Sequence, residues 1–459
     1  MRPTTSPHAP RLIPRPLLRP LKAWAAARVI DDGVRNAAFR TLVQQIDDAP
    51  LHVAPPVRLL PDGAEAFARM QEAMATAREE ILLETYILRD DRLGASVQSA
   101  LALAAQRGVR VCVLADAVGS IATADRFWSL LEASGVQVRH FHRFWHHPFE
   151  ALRRDHRKLL VIDRSIAFTG GMNIGEEYGS SIRQRRDAWR DTFVEVHGSV
   201  ARELAAVFAE GWDRARGPAL PGLAYVSWSD GIVRPPGTRP FGARALQTVV
   251  RRTLAAGRRG RRVRRAPDDV PQPAPDDTLA FVIDSRPGRG ERELLSVLAA
   301  LVGGARERLW ITTPYFAPPT AALNLLMIAA RRGVDVRLML PSERTDVALV
   351  RHAAHGAYAK LLRAGVRIFE YQRATLHAKT LVVDGYASLI GSSNLDFRSF
   401  WLNAECNVLL LDEACGASME RTFEHDLTDS VEITTAWPGQ RSLGHRVLDR
   451  VARSLRWAL

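Results

Sequence analysis

Apolar runs of strand length recur along this chain, each followed by a stretch of helical period. EILLETYI (80–87) and LWITTPYF (309–316) read as buried strands. After each comes an amphipathic segment, then a Gly that stops the helix and a β-branched run that starts the next strand: RGVRVCVL (107–114) and RGVDVRLM (332–339). SGVQVRHF (134–141) and AGVRIFEY (364–371) repeat the pattern. Strands alternating with helices at this spacing predict α/β units with parallel or mixed sheets. Two such units are expected, over 57–215 and 278–430. A Pro-, Gly- and Arg-rich linker (216–277) separates them, and a basic N-terminal segment (1–56) and a C-terminal basic amphipathic helix (431–459) flank them. No run of about 18 apolar residues is present, so no membrane-spanning helix is expected.

The units agree best where reactive residues cluster. The first reads HRKLLVIDRSIAFTGGMN, from His156 to Asn173, and the second HAKTLVVDGYASLIGSSN, from His377 to Asn394. The pairs His156/His377, Lys158/Lys379, Asp163/Asp384, Gly170/Gly391, Gly171/Ser392 and Asn173/Asn394 share one offset of 221 residues. Side chains two apart on a strand share a face, so each His and Lys project together. The Asp opens a turn, Asp-Gly in the second copy being a strong hairpin signal, and the returning strand brings the Gly-rich end and the Asn back beside them. Backbone amides at that end are expected to be open to an anion. Only four Lys accompany 59 Arg, and two of the four are Lys158 and Lys379. That choice points to a compact ammonium where a guanidinium would not fit.

Charge then narrows the partner. The net charge of +13 would suit nucleic acid. However, residues 1–30, 234–266 and 441–459 hold 22 basic groups against one acid, so the remaining body is net acidic. A nuclease would place basic charge in the groove beside its chemistry. Cys112, Cys406 and Cys415 have no metal or disulfide spacing. His140, His142, His146 and His147 are read as loop residues, since no carboxylate or Cys completes a ligand set.

The doubled H-x-K-x4-D string resembles the paired motifs of the phospholipase D superfamily, over about two thirds of the chain. RRDHRKLLVID with WRD (189–191), and GSSNLDFRSFWLNAECNV (391–408), are similar to its bacterial cardiolipin synthase branch. The resemblance implies two mixed sheets flanked by helices, packed face to face in an αβαβα sandwich with one active site between the repeats. It implies a phosphatidyltransferase with a covalent phosphohistidine, joining two phosphatidylglycerols and releasing glycerol. The alternatives are a phospholipase D hydrolase or other transferase, and a nuclease of the same superfamily. The motif set is His156, Lys158, Asp163, His377, Lys379 and Asp384. Of these, His156 is expected as nucleophile and His377 as acid/base, while the turns carry Asp163 and Asp384 off the His–Lys face into structural roles. Asn173, Asn394, Ser392 and Gly171 are expected around the phosphate, and Asp191 and Glu405 as the acids that orient the imidazoles. The resemblance implies no metal and no other cofactor.

The partners expected are phospholipid substrates and an anionic membrane surface, with no nucleic acid. In HRVLDRVARSLRWAL, residues Val447, Leu448, Val451, Leu455 and Leu459 fall on one helical stripe, with arginines mostly elsewhere. That pattern predicts an interfacial helix, and with it a cytoplasmic protein attached peripherally to the inner membrane. LIPRPLLRPLKAWAAARVI near the N-terminus mixes apolar and basic residues in a similar way.

Overall fold

A computed structural model describes residues 15–47, 49–141, 153–180, 188–223, 277–286, 293–437 and 441–454. Strands 80–85, 110–116 and 137–141 lie parallel in the first repeat. Strands 159–162, 166–170, 193–197 and 58–60 extend the sheet antiparallel from the other side of 80–85. The second repeat copies this order with 308–312, 335–341, 367–371 on one side and 380–383, 387–391, 405–411, 278–285 on the other. It gains an edge strand at each end, 52–54 and 430–433.

Every residue of 80–85 is buried, because both faces of the sheet are covered. On the outside of the first sheet lie helices 63–76, 92–106 and 125–133, sharing a core of Phe67, Met70, Leu101, Val113, Trp128 and Phe168. Helices 293–304, 320–331 and 348–363 cover the outside of the second. Between the sheets run helices 199–214 and 413–428. There Leu82, Val161, Phe208 and Trp212 of one repeat join Trp310, Val382, Val408 and Phe423 of the other in a single core. The five-layered αβαβα arrangement expected from the resemblance is thus observed.

The N-terminal segment is less separate than its composition suggests. Helices 15–28 and 37–47 pack Ala23, Ala27, Phe39 and Val43 into the outer core of the second repeat. Arg19 pairs with Glu293 on that repeat at 2.8 Å. The linker from 224 to 276, with its Arg cluster, lies outside the described residues, as do His142, His146 and His147.

Candidate active site

Each reactive histidine lies just before the motif strand of its own repeat, and its backbone is bonded to the other repeat. The His156 N–H donates to Ala404 O at 2.9 Å, and the Ala404 N–H donates to Arg154 O at 2.8 Å. The second half-site is built alike: the His377 N–H donates to Arg190 O at 2.7 Å, where strand 375–376 runs parallel to 189–190. The segments bonded to each histidine lead straight to an acid of the opposite repeat. Glu405 Oε2 lies 3.0 Å from His156 Nδ1, and Asp191 Oδ2 lies 2.7 Å from His377 Nδ1.

An ionised carboxylate only accepts, so Nδ1 of His156 carries the proton and its Nε2 presents a lone pair; the Asp191 contact favours the same tautomer at His377, where Lys379 Nζ also approaches Nδ1 at 2.6 Å. Glu405 is itself held by Ser392 Oγ, by Ser399 Oγ at 2.7 Å and by Asn403 Nδ2 at 3.3 Å. Burial acts to raise it, but His156, Lys158 and Ser392 together keep it below the ordinary carboxylate range. Burial pushes His156 down to about 4, against the pull of Glu405. His377 is lowered by burial and then by the Lys379 charge, against Asp191. Lys158 and Lys379 are 1% and 4% exposed, and burial brings them down to about 7 and about 8. The Lys158 Nζ donates to His156 O at 2.6 Å, and Lys379 Nζ lies 3.9 Å from Asp191 Oδ2. Two neutral imidazoles and two easily adjusted ammonium groups therefore share one buried centre.

Residues 70–212 and 298–427 match the family model described as "Cardiolipin synthase, PLD-like domain". The chain belongs to that family. It is 31% identical over 427 residues to a cardiolipin synthase of Halalkalibacterium halodurans, covering 92% of this chain and 76% of the relative. Cardiolipin synthase A of Pseudomonas aeruginosa is 35% identical over 381 residues, which is 82% of this chain and 68% of that one. The crystal structure of phosphatidylserine synthase from Haemophilus influenzae Rd KW20 superposes with a TM-score of 0.67 at 16% identity, covering 92% of this chain and all of that one. That likeness shows a shared fold.

The family motif residues do not all meet the reacting centre. Asp163 accepts the backbone N–H groups of Arg78, Glu79 and Glu80, and Asp384 those of Arg306, Glu307 and Arg308, at 2.8–2.9 Å. Both aspartates have left-handed backbones, with φ of 49° and 52°, and tie the hairpin turn to the start of the central strand. The Gly-rich end needs a correction. The amides of Gly171 and Ser392 are not open to an anion: they donate to Thr192 O and Cys406 O at 3.1 and 3.0 Å. Their difference instead serves the acids. A Cβ at Gly171 would lie 2.1 Å from Asp191 Oδ1, whereas Ser392 donates its hydroxyl to Glu405. Asn173 takes the Ile87 N–H at 3.2 Å and donates to Tyr178 at 2.9 Å, and the buried Asn394 Oδ1 has no partner among the described residues.

Sequence reasoning missed the surround of this cardiolipin synthase-type centre. Ser399 and Asn403 sit inside the quoted second motif, but only their approach to Glu405 reveals a role. Tyr86 packs edge-on to His156 at 5.1 Å, while Tyr178, Trp189 and Tyr315 enclose His377 at 5.3, 5.2 and 6.3 Å. An apolar slot lined by Leu294, Leu298, Ile311, Leu381, Leu389 and Phe400 runs up to Lys379 and Asn394.

Proposed function

We propose that the protein is a cardiolipin synthase, transferring a phosphatidyl group from one phosphatidylglycerol to another. The observation that carries this reading is the cross-repeat pairing, which sets two Nδ1-protonated imidazoles in one buried centre. His156 Nε2 attacks phosphorus, the bond to the glycerol oxygen breaks, and His377 protonates the departing alkoxide. In the second half, His377 removes the proton from a hydroxyl of the incoming lipid. That oxygen attacks phosphorus and the His156–phosphorus bond breaks. Lys158, Lys379, Asn173 and Asn394 hold the phosphoryl oxygens while charge builds. A bound phosphodiester favours imidazolium, which offsets the burial that depresses His377.

The family match favours a lipid substrate over nucleic acid. Leu443, Val447, Leu448 and Val451 on helix 443–454 are 40–78% exposed, a stripe suited to peripheral attachment to an anionic leaflet.

The purified protein on phosphatidylglycerol vesicles should yield cardiolipin and glycerol, identified by mass spectrometry. His156→Ala and His377→Ala should each cost at least about 10³-fold in turnover, because the pair acts as a unit. Quenched His377→Ala protein should carry an acid-labile phosphatidyl adduct on His156. An adduct on His377 would reverse the two roles, phosphatidic acid as sole product would mean hydrolysis, and full activity in either variant would refute the mechanism.

A further inference from the structure

A second group of histidines lies away from the reacting centre, where helix 443–454 docks on helix 348–363. His352 and His355, one turn apart, face Asp449 of the C-terminal helix. The Asp449 Oδ1 atom is 2.7 Å from His352 Nδ1 and 3.7 Å from His355 Nδ1. One donor atom from each of the three lies within 4.8 Å of the others. His355 and Asp449 are 4% and 7% exposed.

The protons at this joint do not balance. His355 Nε2 is 3.1 Å from Glu370 Oε1, which accepts, so Nε2 carries the proton. Nδ1 is then a lone pair, buried and without a hydrogen-bond partner among the described residues, aimed at the carboxylate of Asp449. Two acceptors facing one another in a buried site repel unless a positive charge lies between them. A carboxylate behind the far nitrogen of a histidine is also the usual support for a metal ligand.

We propose that His352, His355 and Asp449 bind a divalent cation of the zinc class, which clamps helix 443–454 to the second repeat. Two imidazoles and one carboxylate suit zinc or a neighbouring first-row ion rather than calcium or magnesium. Tetrahedral zinc sets its donor atoms roughly 3.3 Å apart; the two carboxylate–imidazole separations of 2.7 and 3.7 Å straddle that spacing, and the two imidazole nitrogens lie within 4.8 Å, so a small side-chain rotation closes the site. The ion takes the Nδ1 lone pair of each imidazole, so at His352 it displaces the proton that now faces Asp449. The fourth position falls to water.

The surrounding charges set the affinity. Arg441 contacts both oxygens of Asp449 at 2.8 and 3.0 Å, and Arg351 reaches Glu370 at 3.4 Å. These two guanidinium groups offset the two carboxylates, so a moderate, micromolar site is expected. The Arg441 charge opposes the ion and should restrain its binding. A joint made only of ion pairs would depend on Arg441 in the opposite sense.

The test is calorimetric titration of untagged, chelator-stripped full-length protein with zinc chloride, paired with thermal unfolding. Wild type should take up one equivalent that His352→Ala and Asp449→Asn lose, and zinc should raise the Tm of wild type only. Arg441→Gln should bind zinc several-fold more tightly. His352 is partly exposed, so its variant should fold even if His355→Ala does not. Failure of wild type to bind, unchanged affinity in both His352→Ala and Asp449→Asn, or weaker zinc binding in Arg441→Gln, would overturn the proposal. Since the ligands lie outside the transfer site, turnover of short-chain lipid reports separately on the catalytic reading.

Discussion

At the scale of the residue, burial is what adjusts the reactive groups. In the proposed reaction Lys158 and Lys379 act on the phosphate only as ammonium, and burial holds them at about 7 and about 8. Each loses its charge as pH rises through its own value, so the free enzyme loses affinity for the phosphodiester over that window. We therefore expect kcat/KM on a short-chain, monomeric phosphatidylglycerol to fall steeply between about pH 7 and 9. His156, already neutral above about 4, adds nothing to that limb. A profile flat to pH 9.5 would show that the lysines keep ordinary values and that burial does not control them. The sequence made these lysines visible through their scarcity and shared offset. It made Asp191 and Glu405 visible only through family resemblance, because each acid belongs to the histidine of the other repeat. The cluster proposed for zinc was hidden for a related reason: His352 and His355 share a helix face, but Asp449, their third member, is 97 positions from His352.

At the scale of the element, the hairpins give the clearest division between chemistry and scaffold. Asp384 gathers three backbone N–H groups at 2.8 Å, as Asp163 does in the first repeat. Replacing Asp384 by Ala removes a charged acceptor and leaves a Cβ residue at φ 52° without its side-chain anchor. Hydrogen bonds to charged groups contribute about 1.5–3 kcal/mol each, and water can reach part of the turn once the side chain is gone, so a loss of at least about 3 kcal/mol is expected. Urea unfolding should show that loss, while turnover per folded molecule stays near wild type. Abolished turnover in a fully folded variant would return Asp384 to the chemistry. The strands were legible because Gly stops and β-branched starts recur at the same offsets in both repeats. Helix 15–28 was not, because its Pro and Arg content reads as a tail. The alanine face that meets helix 293–304 becomes meaningful only once that partner is in place.

At the scale of the whole molecule, attachment and assembly matter most. The C-terminal helix turns Asp449 and Ala452 inward and leaves Leu443, Val447, Leu448 and Val451 outward. Changing those four to Ser should leave the docked face intact, weaken sedimentation with anionic vesicles, and spare activity on monomeric short-chain lipid. Binding that remains should fall with salt, since charge attraction acts over about 10 Å at 0.1 M. Unchanged sedimentation would move the attachment elsewhere on the chain. The two repeats also share a buried charge cluster: Arg157, wholly buried, meets Asp284 at 2.5 Å and Glu84 at 3.7 Å. Removing one member of such a cluster is costly, because the remaining charges lose their compensation.

The exchange of acids between the repeats has a consequence for how the enzyme is made. A ribosome delivers His156 and Lys158 long before Glu405, which follows 249 positions later. Until then the imidazole has no anion to fix its tautomer, and the segment that its backbone will bond has not been synthesised. The first repeat alone holds its histidine without the carboxylate that orients it. The His156 half-site is therefore complete only once the second repeat has folded against the first.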